Sequence, residues 1–189
     1  MVGSRNSSQQ TKTKPMNAWW STPDGTALVQ GELIRNFDFP RLDSIPTGSD
    51  RPEMKIIKAD CIILTQSCDL ENRKVNEVLL CKCYSLRAIC EIHQHYKDIK
   101  MREDIRKGNV YACCMLTSPD NDEDPEENLI VDFKSVVSVS REYLMQFIEI
   151  NNVERVCLVS PYTEYLSQAF AKFFMRVALP VGIESFKKK

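Results

Sequence analysis

The sequence predicts an α+β domain built on an antiparallel sheet. Cys61–Leu64 is a run of four apolar residues, typical of a strand that is covered on both faces. A second apolar run, Val75–Tyr84, follows the polar turn Glu71–Lys74, and this pattern indicates a hairpin. Near the end of the chain, Ser160-Pro161 precedes apolar residues at helical spacing. Short strands with a few interleaved helices are typical of the α+β class.

The length of 189 residues fits one domain. Residues 1–16 are polar, so we expect a disordered tail followed by a single domain over residues 17–189. Hydrophobic residues make up 43% of the chain, which is enough for a core. The formal net charge of -1 argues against a dedicated non-specific nucleic-acid binder, because such proteins are usually basic.

The eight cysteines point to a reducing compartment. Many of them lie inside apolar runs, where a thiol packs as a small hydrophobic group. The first residues lack the apolar core of a signal peptide, and no apolar run is long enough to cross a membrane. We therefore expect a cytoplasmic protein without membrane contact. No Cys-x-x-Cys pair occurs, so we expect no metal site, and nothing in the sequence calls for a cofactor.

Turn residues divide the first half of the chain. The turn Pro23–Gly25 leads into a predicted strand over 27–36. Residues 40–52 are rich in proline, glycine and short polar side chains, which predicts a loop. The core strand that starts at Lys55 is expected to end at Gln66, before the hairpin turn.

The second half alternates between helices and strands. Apolar spacing predicts one helix over 86–105 that stops near Gly108, then a strand over 110–116. The acidic segment 120–127 is expected to be a solvated loop. A strand over 129–139 leads to a short helix over 141–148 that Ser140 can cap, and a brief strand over 154–159 follows. Ser160 and Pro161 are expected to be the N-cap and first residue of the last helix, which Pro180 and Gly182 end.

The strongest site candidate is the polar segment Thr65–Asp69 at the end of the core strand. Polar side chains at that position are costly unless something pairs with them or uses them. Ser67 and Asp69 can brace the corner through bonds to backbone amides, as in Ser and Asx turns. Alternatively, Asp69 holds an arginine or orients a ligand in a pocket. A Cys68 nucleophile would need His93 or His95, which lie two apart in the predicted helix and so face different sides.

Two further candidates lie outside this corner. Arg35 belongs to a segment that alternates polar and aromatic residues, which fits an edge strand or an arginine that meets a phosphate or carboxylate. Tyr162 and Glu164 lie at the start of the last helix, where they either cap and pack that helix or face a binding site.

The order of the parts resembles the MazF/PemK-like small β-barrels, the toxin fold of many bacterial toxin–antitoxin pairs. The matching pieces are Gly25–Arg35, Cys61–Asn72, Val75–Tyr84 and Asn128–Leu144. Thr65–Leu70 and Pro161–Phe170 also resemble a poorly characterised prokaryotic branch near this fold that carries a Ser-Cys-Asp motif. The resemblance implies a small antiparallel barrel, like Src-homology-3 folds, and a homodimer.

The toxin family cleaves RNA with an arginine, commonly in an Arg-Pro pair before the central strand, and a Thr or Ser after the next strand. Here Arg51-Pro52 lies several residues earlier than that pattern, and Ser85 follows the second strand. The resemblance therefore implies an arginine and a hydroxyl as catalytic groups, but the match in spacing is loose.

Three functions remain open from the sequence. We favour an interaction or regulatory module of a prokaryotic defence or stress-response system, which binds an antitoxin-like or regulatory protein without catalysis of its own. The alternative is a metal-independent endoribonuclease that acts on RNA. A Cys68-dependent hydrolase ranks third. The candidate catalytic residues are Arg51, Arg35, Ser67, Asp69 and Ser85, and the candidate binding residues are Gln66, Cys68, Tyr162 and Glu164.

Overall fold

The computed structural model describes residues 18–175 except Pro46, Ser49 and Arg73. It confirms an α+β domain on an antiparallel sheet, with seven strands and five α-helices in the described residues. The predicted tail over 1–16 and the predicted helix stop at Pro180 and Gly182 lie outside those residues.

All paired strands are antiparallel, and their order in the sheet is β1-β7-β2-β3-β4-β6-β5. The strands are β1 Trp20–Ser21, β2 Glu32–Ser44, β3 Glu53–Ile63, β4 Glu77–Ser85, β5 Cys113–Leu116, β6 Leu129–Ser140 and β7 Val156–Leu158.

The helices connect the strands and cover the sheet. They are α1 Ser67–Glu71, α2 Leu86–Ile92, α3 Ile99–Arg106, α4 Arg141–Ile150 and α5 Tyr162–Phe174, with 3₁₀ turns at Gln94–Lys97 and Pro125–Glu127. Within residues 18–175, no helix combines the length and the hydrophobicity that a membrane span requires.

The core strand is buried on both faces, as its four apolar residues predict. Cys61 and Ile63 pack on the side that α4 covers with Leu144 and Phe147. Ile62 and Leu64 pack on the other side, among residues that α5 covers. The predicted hairpin is confirmed, because β3 pairs with β4 from Asp60 to Ile63. The predicted strand end at Gln66 is wrong, since the chain leaves the sheet after Ile63 and folds into α1.

The prediction of a loop over 40–52 is also wrong at its start, because β2 continues to Ser44. Its end is confirmed, since β3 begins at Glu53, and the two strands pair with each other well beyond the rest of the sheet. The predicted strand over 27–36 starts later, at Glu32. The buried Glu32 carboxylate accepts the Val29 N–H, which holds the preceding residues in a tight loop.

The predicted helix over 86–105 is split into three pieces. α2 ends at Ile92, Tyr96 is buried in a 3₁₀ turn, and the Asp98 side chain caps α3 by accepting the Lys100 N–H at 2.8 Å. The chain therefore turns so that Tyr96 and Ile105 reach the same apolar cluster. The strand predicted over 110–116 forms only from Cys113.

The sheet curls strongly but is not closed. Within the described residues, β1 and β5 are edge strands that share no ladder. The loop after β5 nevertheless reaches the opposite end of the sheet. There, Trp20 Nε1 donates to the Thr117 carbonyl at 3.0 Å and Arg35 binds Asp120.

Candidate functional site

The Ser67–Asp69 corner is the first turn of α1, and its polar groups brace the chain. Ser67 Oγ accepts the Gln30 backbone N–H at 2.9 Å, and the Asp69 N–H donates to the Gln66 carbonyl at 3.1 Å. The Asp69 carboxylate lies 3.9 Å from Lys74 Nζ. None of these residues lines the two cavities described below. This geometry matches the bracing interpretation of the corner more closely than the pocket interpretation.

Cys68 is the one exposed thiol among the eight free cysteines. Its sulfur lies 3.7 Å from Gln66 Oε1 and 3.9 Å from Asp69 Oδ1. Both neighbouring atoms are oxygen acceptors for the thiol, and neither is a histidine nitrogen. His93 and His95 instead contact each other and Tyr96 at the end of α2. The geometry therefore does not assemble a Cys–His pair at this corner.

Burial suppresses the reactivity of the other thiols whose pKa is shifted. Burial, and then the neighbouring Asp60 charge, raise the pKa of the Cys61 thiol to about 12. Burial also raises the pKa of the Cys113 thiol to about 11. Such thiols remain protonated at neutral pH, so they pack as hydrophobic groups and are poor nucleophiles or metal ligands.

Arg35 lies at a β-bulge, where Arg35 and Asn36 together oppose Asp60 on β3. Asn36 adopts a φ of 50°, and its backbone N–H donates to the Asp60 carboxylate at 2.8 Å. The Arg35 guanidinium donates to both carboxylate oxygens of Asp120, at 2.8 and 2.7 Å. Arg35 also lines a polar cleft of about 340 Å³ with Lys58. The Asp60 carboxylate also lies 3.9 Å from Arg35 Nη1, so two carboxylates already balance the charge that an RNA-cleaving arginine would need.

The remaining catalytic candidates have separate tasks. Ser85 Oγ accepts the Ala88 N–H at 3.2 Å and is the N-cap of α2. Arg51 is exposed between β2 and β3. The structure thus distributes Arg35, Ser67 and Ser85 over three local networks, and none of the contacts above joins one to another.

The acidic segment 120–127 lies at the surface, as predicted, and several of its carboxylates also bind arginines. Arg87 donates to Asp124 at 2.8 Å and to Glu127 at 3.0 Å. Arg102 binds Glu126, with a shortest contact of 2.5 Å. Together with the Arg35–Asp120 pair, these bonds attach the loop to β2, α2 and α3.

A half-open hollow of about 650 Å³ lies between β5 and the start of α5. It includes Tyr162 and Glu164, two of the four candidate binding residues. The rings of Trp19 and Tyr162 stack face to face there, with centroids 3.8 Å apart and planes inclined by 11°. A cavity of this size, with mostly apolar walls and a few polar groups, is typical of small-molecule sites.

Local bonds at the start of α5 fix the wall of this cavity. The Tyr162 N–H donates to the Val159 carbonyl at 2.8 Å, and Ser160 Oγ donates to Glu164 at 3.0 Å. Ser160 is therefore not the N-cap and Pro161 is not the first helical residue, as we had predicted. Pro161 occupies the cap position instead, and Tyr162 begins the helix. Burial raises the pKa of the nearby Tyr165 hydroxyl to about 12, so it remains protonated.

A second candidate surface is the distal part of the β2–β3 hairpin, which we call the arm (residues 40–44 and 53–56). Pro40 pairs with Ile56 and Leu42 pairs with Met54, so these side chains lie on one face of the ribbon. Leu42 is 70% exposed, Met54 61% and Ile56 53%. Sequence reasoning missed this face because the segment resembled a loop. The period-two alternation in Met54-Lys55-Ile56 was the available signal.

No family model matches this sequence, and no curated protein matches it either. Within the described part of the chain, no three His, Cys, Asp or Glu side chains are grouped so that they could hold a metal ion. The arm and the cavity are therefore the two candidate functional sites of the described chain.

Proposed function

We propose that this chain is an interaction module that binds a protein partner through the apolar face of the arm and has no catalysis of its own. The observation that carries the proposal is the exposure of Leu42, Met54 and Ile56 side by side on a paired ribbon. Contiguous exposed apolar side chains mark interaction surfaces, whereas singly scattered ones do not.

The architecture of the arm supports this role. Beyond the bulge at Asn36, β2 and β3 pair only with each other in the described structure, because β7 stops pairing at Leu33 and β4 at Asp60. α4 covers only the opposite face of this ribbon near its base, through Phe147, which packs with Phe37. Further out no described helix covers it, and an isolated two-stranded ribbon is marginally stable in water. A partner that covers the apolar face would stabilise it.

The chemistry of the arm favours a protein over a nucleic acid. The centre of its exposed face is aliphatic, and the only ionic pair on that face, Asp38 with Lys58 at 2.5 Å, lies at its base among the described residues. Nucleic-acid surfaces instead present basic side chains to phosphates. The resemblance to MazF/PemK toxins supports an antitoxin-like or regulatory partner in a prokaryotic defence or stress-response system. The curled, open sheet is compatible with a MazF-like small barrel.

Tagged wild-type protein, expressed in its native cells, tests the proposal beside Leu42→Ser/Met54→Ser. The control is Ile99→Ser, which changes an equally exposed aliphatic residue on α3. We expect one partner to co-purify in stoichiometric amount with the wild type and the control but not with the double variant. Retention of that partner by the double variant would contradict the proposal, as would elution of the wild-type protein alone as a monomer.

The endoribonuclease alternative predicts RNA cleavage, whereas the binding module predicts none. Incubation of purified protein with unstructured and structured RNA in EDTA should leave both intact, because Arg35 is bound by carboxylates and Ser67 and Ser85 are occupied by backbone amides. If the RNA is cleaved, and Arg35→Ala or Arg51→Ala abolishes that cleavage, the protein is an endoribonuclease and the proposal of a non-catalytic module is wrong.

A further inference from the structure

We propose that the cavity between β5 and α5 binds a small planar nitrogen heterocycle of nucleobase type. This site shares no residue with the arm, so it would be a second, ligand-responsive site on the module. The proposal is independent of the protein partner and can fail separately from it.

The shape of the cavity favours a flat ligand. Trp19 and Tyr162 both line the hollow, and their rings stack on each other, so a flat ligand can extend this stack on an outer ring face. Aromatic faces bind planar rings by stacking, and alanine substitutions show that each stacked base contributes substantially. The volume of about 650 Å³ is well above that of a single aromatic ring and accommodates a nucleoside-sized molecule.

The polar groups of the walls favour a heterocycle over a hydrocarbon. Asn128 and Gln168 line the cavity, and the carboxamide of each side chain offers both a donor and an acceptor. A purely aliphatic ligand would desolvate these groups without replacing their hydrogen bonds. The edge of a nitrogen heterocycle presents donors and acceptors in one plane, which is the complement that carboxamides recognise.

The charged groups of the cavity do not select a strongly charged ligand. Arg106 lies in the wall, but its guanidinium donates to Glu103 at 2.8 and 2.6 Å. Glu164 accepts a hydrogen bond from Ser160. Because the two charges have opposite sign and existing partners, a neutral ring is the better complement. A cationic ligand would be repelled by Arg106, and an anionic ligand would be repelled by Glu164.

The walls are also held in place before any ligand arrives. The Asn128 carbonyl accepts the Leu86 N–H at 2.8 Å, and the Thr117 carbonyl accepts Trp20 Nε1 at 3.0 Å. These bonds fix segments that are far apart in sequence around one hollow. Preorganised walls reduce the entropic cost of binding.

Isothermal titration of the full-length protein with adenosine, guanosine, cytidine and uridine tests this inference, with ribose as the non-planar control. We expect saturable binding of at least one nucleoside and none of ribose. Tyr162→Leu should weaken that binding about 10-fold or more. Tyr143→Leu, which changes an exposed tyrosine of α4, should leave it unchanged.

A second variant guards against a folding defect in Tyr162→Leu. Gln168 is exposed on α5, so Gln168→Ala should fold normally and still weaken binding several-fold through the lost hydrogen bond. Titration with a single-stranded tetranucleotide separates a free heterocycle from a base within RNA. The inference is overturned if no nucleoside binds at millimolar concentration, if Gln168→Ala and Tyr162→Leu bind like wild type, or if only the tetranucleotide binds.

Discussion

At the residue scale, the pair formed by Glu32 and Arg155 anchors the start of the sheet. Glu32 is fully buried, yet its carboxylate receives two hydrogen bonds from Arg155, at 2.5 and 2.8 Å, and one from the Val29 N–H. The same guanidinium donates to the Gly25 and Ala27 carbonyls. A buried carboxylate is tolerated only when it is paired and hydrogen-bonded in this way. The pair therefore fixes the loop that precedes β2.

Removal of Arg155 should leave the buried carboxylate uncompensated. We expect Arg155→Ala to lower the free energy of unfolding by about 3 kcal/mol or more, measured by urea denaturation. Arg87→Ala removes an exposed arginine with two carboxylate partners and should cost much less, because exposed ion pairs contribute little to stability. Equal losses for the two variants would show that the buried pair has no special role.

Cys61 should make the protein less stable in alkali. Its pKa rises from 9.0 to about 12 on folding, so above pH 9 the thiol ionises in the unfolded chain but not in the folded one. The contribution of the protonated Cys61 thiol to the free energy of unfolding is therefore complete below pH 9. As the pH rises toward 12, this contribution falls by at most about 1.4 kcal/mol per pH unit.

The comparison of stability at about pH 8 and about pH 10.5 isolates this thiol. At the lower pH, Cys61→Ala should be less stable than the wild type, because it loses packing. Between the lower and the higher pH, its free energy of unfolding should fall by less than that of the wild type. Ile62→Val, which shortens the next buried side chain and keeps the thiol, should retain the wild-type pH dependence. An unchanged pH dependence in Cys61→Ala would contradict the assignment.

At the element scale, local side-chain bonds decide where the helices begin. Ser85 caps α2, Asp98 caps α3 and Ser140 caps α4, each through a bond to a backbone N–H of the first turn. Ser85 is therefore in the position of a structural cap, although the resemblance to the toxins implied a catalytic hydroxyl.

Substitution of Ser85 distinguishes these two roles. Ser85→Ala should lower the free energy of unfolding by about 1 kcal/mol, and Ser85→Asn should restore most of it, because asparagine is an equally good N-cap. Thermal or urea denaturation measures both. If Ser85→Asn is as unstable as Ser85→Ala, the Ser85 hydroxyl does not stabilise the protein by capping α2.

Elements fixed by local patterns were predictable, whereas those fixed by distant pairing were not. The β3–β4 hairpin, the strand over 129–139 and the Ser140 cap follow from alternation, turn residues and capping chemistry. The arm was missed because the prolines and the glycine of residues 40–52 resemble a loop, while the pairing of Leu42 with Met54 stabilises strands instead. The helix over 86–105 was overextended because its apolar spacing continues through the break that the burial of Tyr96 imposes.

The candidate site shows the same division. Tyr162 and Glu164 could be placed at the start of a helix from the Ser-Pro signal alone. The cavity itself depends on Trp19, Asn128 and Gln168, which come from segments more than 30 residues apart and meet only because the sheet curls. The pattern of residues within one segment does not show that these distant segments come together.

At the scale of the whole molecule, the curl of the sheet determines what is exposed. The curl brings the loop after β5 back to β1 and β2, through Trp20–Thr117 and Arg35–Asp120, and so encloses the core and shapes the cavity. The arm extends past the part of the sheet that β4 and β7 pair with, so its apolar face remains uncovered by the described elements. The fold thus leaves an aliphatic surface available for a partner.

Amide hydrogen exchange of the isolated chain and of its complex with the co-purifying partner tests this account most directly. In the isolated chain, residues 40–44 and 53–56 should exchange much faster than Cys61 and Ile62, which pair with both β2 and β4. In the complex, exchange should slow in residues 40–44 and 53–56. Unchanged exchange there, with protection appearing on another surface, would contradict the claim that the arm binds the partner.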